Sequence, residues 1–187
     1  LETGKFVKAL VGHDAAVESI SISPDSQHLA SAGGDNTVRL WDLPTGRQTH
    51  VIQTDRPDGQ PATVAFSPDG KHVAAGTNDR PDYVKIYNAE TGDLVKELAG
   101  HGDAVLSVVY SRDGKRLLTG SYDNTARLWD LETGREIRSW RAHTDSVNGI
   151  FFLPDGNIGS AQGFVFNLRR DKWQDPRTRD YVEGRFG

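Results

Sequence analysis

A long internal copy is the feature that most constrains how this chain can fold. The stretch GSYDNTARLWD (residues 120–130) repeats AGGDNTVRLWD (residues 32–42), which lies 88 residues earlier. A Ser-Pro-Asp-Gly type of turn follows the same period, with its Asp at positions 25, 69, 113 and 155, which are 44, 44 and 42 residues apart. A period of this length indicates that one supersecondary unit is repeated four times, and that neighbouring units bury each other's apolar faces.

Each unit is predicted to consist of four short strands, named a to d in chain order. Strand a alternates apolar and polar residues, as in VESISIS (17–23) and VLSVVYS (105–111). The Pro-Asp-Gly type of turn leads to strand b, and a second turn leads to strand c, which ends in Trp41, Tyr87 or Trp129. A Thr-Gly turn then begins strand d. No stretch combines a helical period with helix caps, so the sequence predicts an all-β protein.

The Gly-His pairs at 12–13 and 100–101 and the Trp-Asp pairs at 41–42 and 129–130 resemble the WD40 (Trp-Asp) repeat family. The resemblance covers about residues 1–168 and implies a β-propeller of four-stranded antiparallel blades, with about four blades present. The expected segments are an orphan strand d (1–12), repeats of about 13–54, 55–99, 100–141 and 142–168, and a basic and aromatic tail (169–187).

The number of blades leaves two interpretations open. Propellers of this family usually have seven or eight blades, so a ring closed by four is the least favoured. The chain has no Met and begins just after an implied Trp-Asp, which favours a segment of a longer propeller. Two copies could instead complete one eight-bladed ring as a homo-oligomer, in which the first strand of one copy completes the last blade of the other.

The resemblance also implies a buried hydrogen-bond relay of His, Ser or Thr, Asp and Trp within a blade. The matching residues are His13, Ser31, Asp35 and Trp41 in the first unit, and His101, Thr119, Asp123 and Trp129 in the third. His, Ser or Thr and Asp are also the members of a hydrolase triad. Here the set occurs twice at the repeat spacing, is tied to a core Trp and lacks a nucleophile elbow, so a structural role is predicted.

The second and fourth units depart from this pattern. The second has Pro57 in place of the His, Ala75 in place of the Ser, and Tyr87-Asn88 in place of Trp-Asp. The fourth keeps His143 and has Ser160 near the hydroxyl position, without a turn Asp. Losing the whole set together is physically reasonable, because a half-satisfied buried network is worse than none.

Composition excludes several classes of function. The formal net charge is −4, which does not favour nucleic acid, and no apolar run approaches the roughly 18 residues that span a bilayer. The mixed charges of 169–187 favour packing over nucleic-acid binding. The chain has no Cys, and none of its six His are paired at metal-ligand spacing, so no metal, cofactor or catalytic residue is expected. The sequence does not determine the cellular compartment, and the cytoplasm is the favoured expectation.

A function in protein or peptide binding follows from the resemblance. The expected contact positions lie on the face that carries the d–a loops and b–c turns: Glu18, Ala62, Leu106 and Asn148 on strand a, and Gly34, Asn78 and Tyr122 before the turn Asp. Leu106, Tyr122 and Asn148 form the main expected patch, and the inserted loop with Arg80 and Tyr83 is a second. The alternatives are a regulatory or sensor region of a larger multidomain enzyme and, less favoured, a propeller enzyme.

Overall fold

The computed structural model describes residues 6–54, 61–77, 83–141, 146–153, 157–160, 165–167 and 172–174. Its regular elements are all β-strands, and none of the described residues forms a helix that could span a membrane. The strands are β1 (Val17–Ile22), β2 (His28–Gly33), β3 (Thr37–Asp42), β4 (Arg47–Gln53), β5 (Pro61–Phe66), β6 (His72–Thr77), β7 (Tyr83–Asn88), β8 (Leu94–Ala99), β9 (Val105–Tyr110), β10 (Arg116–Ser121), β11 (Ala126–Asp130), β12 (Glu136–Trp140), β13 (Ile150–Phe152), β14 (Ile158–Ser160), β15 (Val165–Asn167) and β16 (Lys172–Gln174).

The strands form four sheets of four antiparallel strands in chain order: blade 1 (β1–β4), blade 2 (β5–β8), blade 3 (β9–β12) and blade 4 (β13–β16). The all-β architecture of four-stranded antiparallel blades is thus as predicted. Because consecutive strands are antiparallel neighbours, the a–b and c–d turns lie at one end of each blade. The b–c turns and d–a loops lie at the other end, which we call the interaction face.

The outer strand of blade 4 differs from the expectation. It is Lys172–Gln174, which pairs with β15 and lies within the stretch 169–187 that was expected to be a tail. Residues 6–12 were expected to supply a strand d, and they form no strand in the structure. The edge of β15 is instead covered locally by the chain that follows it, because a nearby segment closes a short loop at small entropic cost.

The a–b turns are held by a recurring Ser–Asp pair. Ser67 Oγ donates to Asp69 Oδ1 at 2.6 Å and accepts a hydrogen bond from His72 N at 3.0 Å. Ser111 and Asp113 repeat the first contact at 2.6 Å. The turn ends in a left-handed residue, which is Gly70 or Gly114 in those two units and Ser26, with a φ of 59°, in the first. The Ser-x-Asp pattern therefore sets the strand-a to strand-b connection.

The core lies between the blades. Strand a of each following blade packs its apolar side chains on the sheet before it, as Val64 does on Val38 and Leu40 of blade 1. Two backbone amides of β5 also donate to blade 1 hydroxyls, from Val64 N to Ser19 Oγ at 3.3 Å and from Phe66 N to Ser21 Oγ at 3.0 Å. The same stacking recurs between blades 2 and 3 and between blades 3 and 4. A blade is therefore stabilised chiefly by its neighbours.

Candidate functional site

The four relay residues of blade 3 meet in one hydrogen-bonded chain. His101 Nδ1 lies 2.9 Å from Asp123 Oδ2, and His101 Nε2 lies 2.6 Å from Thr119 Oγ1. Trp129 Nε1 donates to the same Thr119 oxygen at 2.9 Å. If His101 donates from Nδ1 to the carboxylate, Nε2 is the acceptor for the Thr119 hydroxyl proton. Every polar atom of the two rings then has a partner.

Blade 1 repeats this arrangement with Ser in place of Thr. His13 Nδ1 lies 2.9 Å from Asp35 Oδ1, and His13 Nε2 lies 2.7 Å from Ser31 Oγ. Trp41 Nε1 donates to Ser31 Oγ at 2.9 Å. The structure therefore brings together all eight residues that the sequence assigns to the two relays.

Each relay extends further than the sequence interpretation foresaw. In blade 3, Thr125 Oγ1 donates to Asp123 Oδ1 at 2.5 Å, and Arg127 lies 3.5 Å from Asp123 and 2.7 Å from Glu136. The backbone amide of Gly102 donates to Asp123 Oδ2 at 2.9 Å. The signal for these partners was present, because both copies of the motif contain Asp-Asn-Thr followed by an Arg.

The blade 1 relay gains the same outer partners. Thr37 Oγ1 donates to Asp35 Oδ1 at 2.7 Å, and Arg39 lies 3.0 Å from Asp35 Oδ2 while donating to Gln48 Oε1 at 2.7 Å. The backbone amide of Asp14 also donates to Asp35 Oδ2, at 3.1 Å. Each turn Asp thus ties the d–a loop to the b–c turn.

The protonation states follow from these contacts. Burial alone would raise the pKa of Asp123, but hydrogen bonds from His101, Thr125 and the Gly102 amide hold it well below its usual range. Burial lowers the pKa of His101, against the opposing effect of Asp123. The pKa of Asp35 is lowered in the same way, since hydrogen bonds from Thr37 and His13 outweigh its burial. In blade 3, an ionised Asp123 and a neutral His101 are therefore the stable pair.

This geometry argues against a nucleophilic role for the relay hydroxyl. Thr119 has no exposed surface, and its oxygen is enclosed by the His101 and Trp129 rings. A triad needs a nucleophile that a substrate can reach. The relay therefore has the residues of a triad without the access that catalysis requires. Within the described ranges, no group of three or more His, Asp or Glu is placed to hold a metal ion.

Among the described residues of blades 2 and 4, no relay of this kind is formed. In blade 2, Ala75 and Tyr87 occupy the Ser and Trp positions and pack in the apolar core against blade 1. In blade 4, Ser160 is buried and its hydroxyl has no partner among the described residues. Pro57 and His143 lie outside the described residues.

The predicted contact positions on strand a share a specific backbone feature. Glu18, Ala62 and Leu106 are each the extra residue of a β-bulge where strand a meets strand b. A bulge leaves its residue unpaired and redirects the side chain, which is why bulges recur beside functional sites. Glu18 is exposed, while Ala62 and Leu106 are half-buried. Asn148 is exposed and lies just before β13.

Tyr122 is the most prominent side chain on the interaction face of blade 3. It is 57% exposed, and its amide donates to Ala104 O at 2.9 Å, which holds the b–c turn against the d–a loop. Pairing of Ser121 with Val105 and of Gly120 with Ser107 places the bulged Leu106 beside this turn. In the second predicted patch, Arg80 lies outside the described residues, and the side chain of Tyr83 is not described. The predicted contact position Asn78 also lies outside the described residues.

Comparisons with known proteins agree with this geometry. The family profile "WD domain, G-beta repeat" matches residues 4–42, 51–80 and 92–130. WD repeat-containing protein SL1-17 of Schistosoma mansoni is 33% identical over 150 residues, which is 79% of this chain and 47% of that protein. Guanine nucleotide-binding protein subunit beta-1 of Drosophila melanogaster is 32% identical over 151 residues, 79% of this chain and 43% of that protein.

A solved structure gives the same result for the fold. The RRP9 WD40 repeats superpose with a TM-score of 0.81 at 25% identity, covering 89% of this chain and 52% of that one. The chain spans less than half of the length of the curated relatives named above.

Replacing Thr119 with Val tests the relay, because Val keeps the shape and removes the shared hydroxyl. His101 Nε2 and Trp129 Nε1 would both lose their partner, at about 1–3 kcal/mol for each buried polar group. The free energy of unfolding, measured by urea titration, is expected to fall by about 2–6 kcal/mol. Thr119→Ser is the matched control, since blade 1 uses Ser31 there, and it should lose about 1 kcal/mol. Equal stability of the two variants would contradict the relay.

Stability is also expected to decrease toward acid because of His101. Its pKa is depressed in the folded state, so below the ordinary value of 6.5 the unfolded chain binds the proton first. Unfolding free energy should therefore fall as pH drops below 6.5, with a slope of at most about 1.4 kcal/mol per pH unit from this group. Urea titrations between pH 8 and pH 5 check this. A His101→Asn variant should be less stable but less dependent on pH, and parallel curves for both proteins would rule the assignment out.

Proposed function

The chain belongs to the WD40 repeat family, and we propose that it is a non-catalytic platform that binds a protein or peptide through its interaction face. WD40 proteins such as G-beta are generally protein-interaction scaffolds. Tyr122 is the observation that carries the proposal, because a large exposed aromatic side chain stands where the blade 1 copy has Gly34. Aromatic side chains of this kind are the most frequent energetic anchors of protein interfaces.

The surroundings of Tyr122 support an anchor patch. Leu106 adds an apolar side chain from the adjacent bulge, and Asn148 adds an exposed amide from the loop that enters blade 4. A backbone hydrogen bond fixes the spacing of blades 3 and 4, because Val147 N, just before blade 4, donates to Ser121 O of blade 3 at 2.9 Å. The patch thus joins an aromatic, an aliphatic and an amide group on a rigid base, which limits the entropy lost when a partner binds.

A paired substitution tests this patch. Leu106→Asp with Tyr122→Ala should abolish partner capture, because it introduces a charge and removes the aromatic anchor. Affinity capture with mass spectrometry, comparing the variant with the parent protein, identifies the partners that depend on the patch. Thermal unfolding should stay close to that of the parent protein, since neither side chain is fully buried.

A matched control for that experiment lies on the opposite end of the same blade. Arg135→Asp alters an exposed side chain that follows the c–d turn and should leave capture intact. Capture that survives Leu106→Asp with Tyr122→Ala would remove this patch from consideration.

We also propose that a second copy of the chain covers the leading face of blade 1. Ile20 and Ile22 are 60% and 56% exposed, whereas Val108 and Tyr110, 88 residues later, are 7% and 8% exposed under blade 2. At the other end of the array, Phe151 of blade 4 is 42% exposed at the position that Val109 occupies in blade 3. Val109 packs toward blade 4. The exposed apolar side chains on these two faces therefore match each other as those of successive blades do.

The segment before blade 1 supports the same assembly. Lys8 Nζ donates to Pro44 O in the c–d turn of blade 1 at 2.9 Å. Lys96 of β8 makes the corresponding contact with Glu132 O in the c–d turn of blade 3, at 3.1 Å. Residues 6–12 therefore lie along blade 1 as a strand d lies along the next blade.

Light scattering during size-exclusion chromatography tests the assembly. The parent protein should elute with the mass of a dimer, and Ile20→Asp with Ile22→Asp should convert it to a monomer by placing charges in the contact. Val51→Asp is the control, because Val51 is similarly exposed but lies on β4, the outer strand of blade 1. A parent protein that stays monomeric at high concentration would contradict the proposal.

A further inference from the structure

The loop that enters blade 4 contains the one Asn-Gly pair in the sequence, Asn148-Gly149. In such a pair the backbone nitrogen of the Gly can attack the side-chain amide of the Asn, because Gly has no Cβ to block the approach. The two groups are neighbours in the chain, so the reaction is intramolecular and benefits from their proximity. It requires an Asn outside regular structure, exposed to water, and a Gly amide that is not held by a hydrogen bond.

The structure meets these three requirements at Asn148. The residue is exposed, and neither it nor Gly149 belongs to a strand, because β13 begins at Ile150. On the other side the chain is anchored by the hydrogen bond from Val147 N to Ser121 O at 2.9 Å. Between these two fixed points, the Gly149 amide donates no hydrogen bond within the part of the chain that the structure describes. Its nitrogen is therefore available to react.

Other asparagines in turns are protected by the amide that follows them. After Asn124, the amide of Thr125 donates to Asp123 Oδ1 at 2.8 Å, and the blade 1 copy of the motif has the same contact at 3.2 Å. After Asn88, the amide of Ala89 donates to a carbonyl of the a–b turn of blade 2 at 2.9 Å. Each of these nitrogens is held away from the side chain that it would have to attack.

The Asp-Gly pairs of the a–b turns are protected in the same way. The amides of Gly70 and Gly114 donate to Ser67 O and Ser111 O, both at 2.9 Å. The repeat thus binds the Gly amide wherever such a pair belongs to its own architecture. Asn148-Gly149 does not belong to that architecture, since the d–a loops of blades 1 and 3 have no Asn-Gly pair.

We propose that Asn148 converts itself to aspartate and isoaspartate in the folded protein, and that the conversion lowers the affinity of the interaction face for its partner. The Gly149 nitrogen bonds to the side-chain carbonyl carbon of Asn148, whose bond to its own nitrogen breaks. The displaced nitrogen takes the Gly149 amide proton and leaves as ammonia, and a cyclic imide remains. Water then adds its hydroxyl to one of the two imide carbonyl carbons and returns a proton to the nitrogen. No oxidant or reductant is needed.

Both products change the patch formed with Tyr122 and Leu106. An aspartate carboxyl is ionised at neutral pH, so the patch gains a negative charge. A side chain that donates and accepts hydrogen bonds becomes one that only accepts them. Isoaspartate also lengthens the main chain directly before Ile150, which is 8% exposed and packs in the core between blades 3 and 4. This effect on binding rests on the proposed function of the interaction face, whereas the conversion itself does not.

Ageing of the full chain under native conditions tests the conversion. The protein is incubated at pH 8, and peptide mass spectrometry with fragmentation locates each side-chain amide that has become a carboxyl. Asn148 should convert at least about tenfold faster than Asn157, because Asn157 is followed by the β-branched Ile158. The tryptic peptide of residues 142–169 contains both, so one digest compares them directly. Conversion confined to a parallel sample unfolded in urea would overturn the proposal.

Two variants assign the reaction to this pair. Asn148→Gln keeps an amide but requires a larger ring, so position 148 should stay unconverted. This variant should unfold at the temperature of the parent protein, since Asn148 is exposed. Gly149→Ala keeps the Asn and adds a Cβ at the attacking residue, so it should slow the conversion. Conversion at the parent rate in Gly149→Ala would contradict the mechanism.

Capture of the partners that depend on Tyr122 tests the effect on binding. Asn148→Asp and the aged parent protein should each capture about two- to tenfold less than fresh protein, the value of about one hydrogen bond. Aged Asn148→Gln should capture as much as fresh Asn148→Gln. Undiminished capture by Asn148→Asp and by aged protein would overturn the effect on binding. If instead Leu106→Asp with Tyr122→Ala leaves capture intact, the proposed function fails, while the conversion is still decided by mass alone.

Discussion

The blades that carry the relay depend on one hydroxyl that two buried rings share. Thr119 Oγ1 accepts a hydrogen bond from the Trp129 indole and is also hydrogen-bonded to the His101 imidazole. One small side chain is therefore the hydrogen-bond partner of two large buried rings. Asp123 then joins the far side of the imidazole to the Gly102 amide. The same chain of bonds therefore fixes the d–a loop against the b–c turn, and Tyr122, one residue before Asp123, inherits its position from the network that stabilises the core.

A blade needs the hydroxyl and the carboxylate of the relay only if it contains the buried His and Trp rings, whose nitrogen atoms require hydrogen-bond partners. Blade 2 has Ala75 and Tyr87 at the hydroxyl and Trp positions, and both belong to the core cluster that it shares with blade 1. A network missing one partner would leave a buried polar group without a hydrogen bond, which costs more than losing the whole set. Blade-to-blade packing is thus common to the four sheets, while the described part of the chain shows the polar network in blades 1 and 3. Its closed geometry also explains why a set of triad residues here has no route to a substrate.

Most of the fold could be predicted because its signals are local and recur at a fixed spacing. Alternating strands, Ser-x-Asp turns and the Trp-Asp ends each occupy a few consecutive residues, and a second copy confirms the spacing. The outer strand of blade 4 could not be found this way, because Lys172–Gln174 is three residues long and has no counterpart in the repeat. Nor could the cavity between blades 2 and 3 be found, because Ile86 of one blade and Tyr110 and Leu131 of the other line it, and no sequence period records such a contact.

Differences between the internal copies separate function from architecture in this chain. His101, Thr119, Asp123 and Trp129 have counterparts in blade 1 that make the same bonds, so the fold accounts for them fully. Tyr122 has no such counterpart, because Gly34 satisfies the same turn without a side chain. A side chain that the repeat does not require and that is 57% exposed is therefore the position at which we propose that a partner binds, because residues left over from the shared architecture are where a repeating scaffold can differ in function.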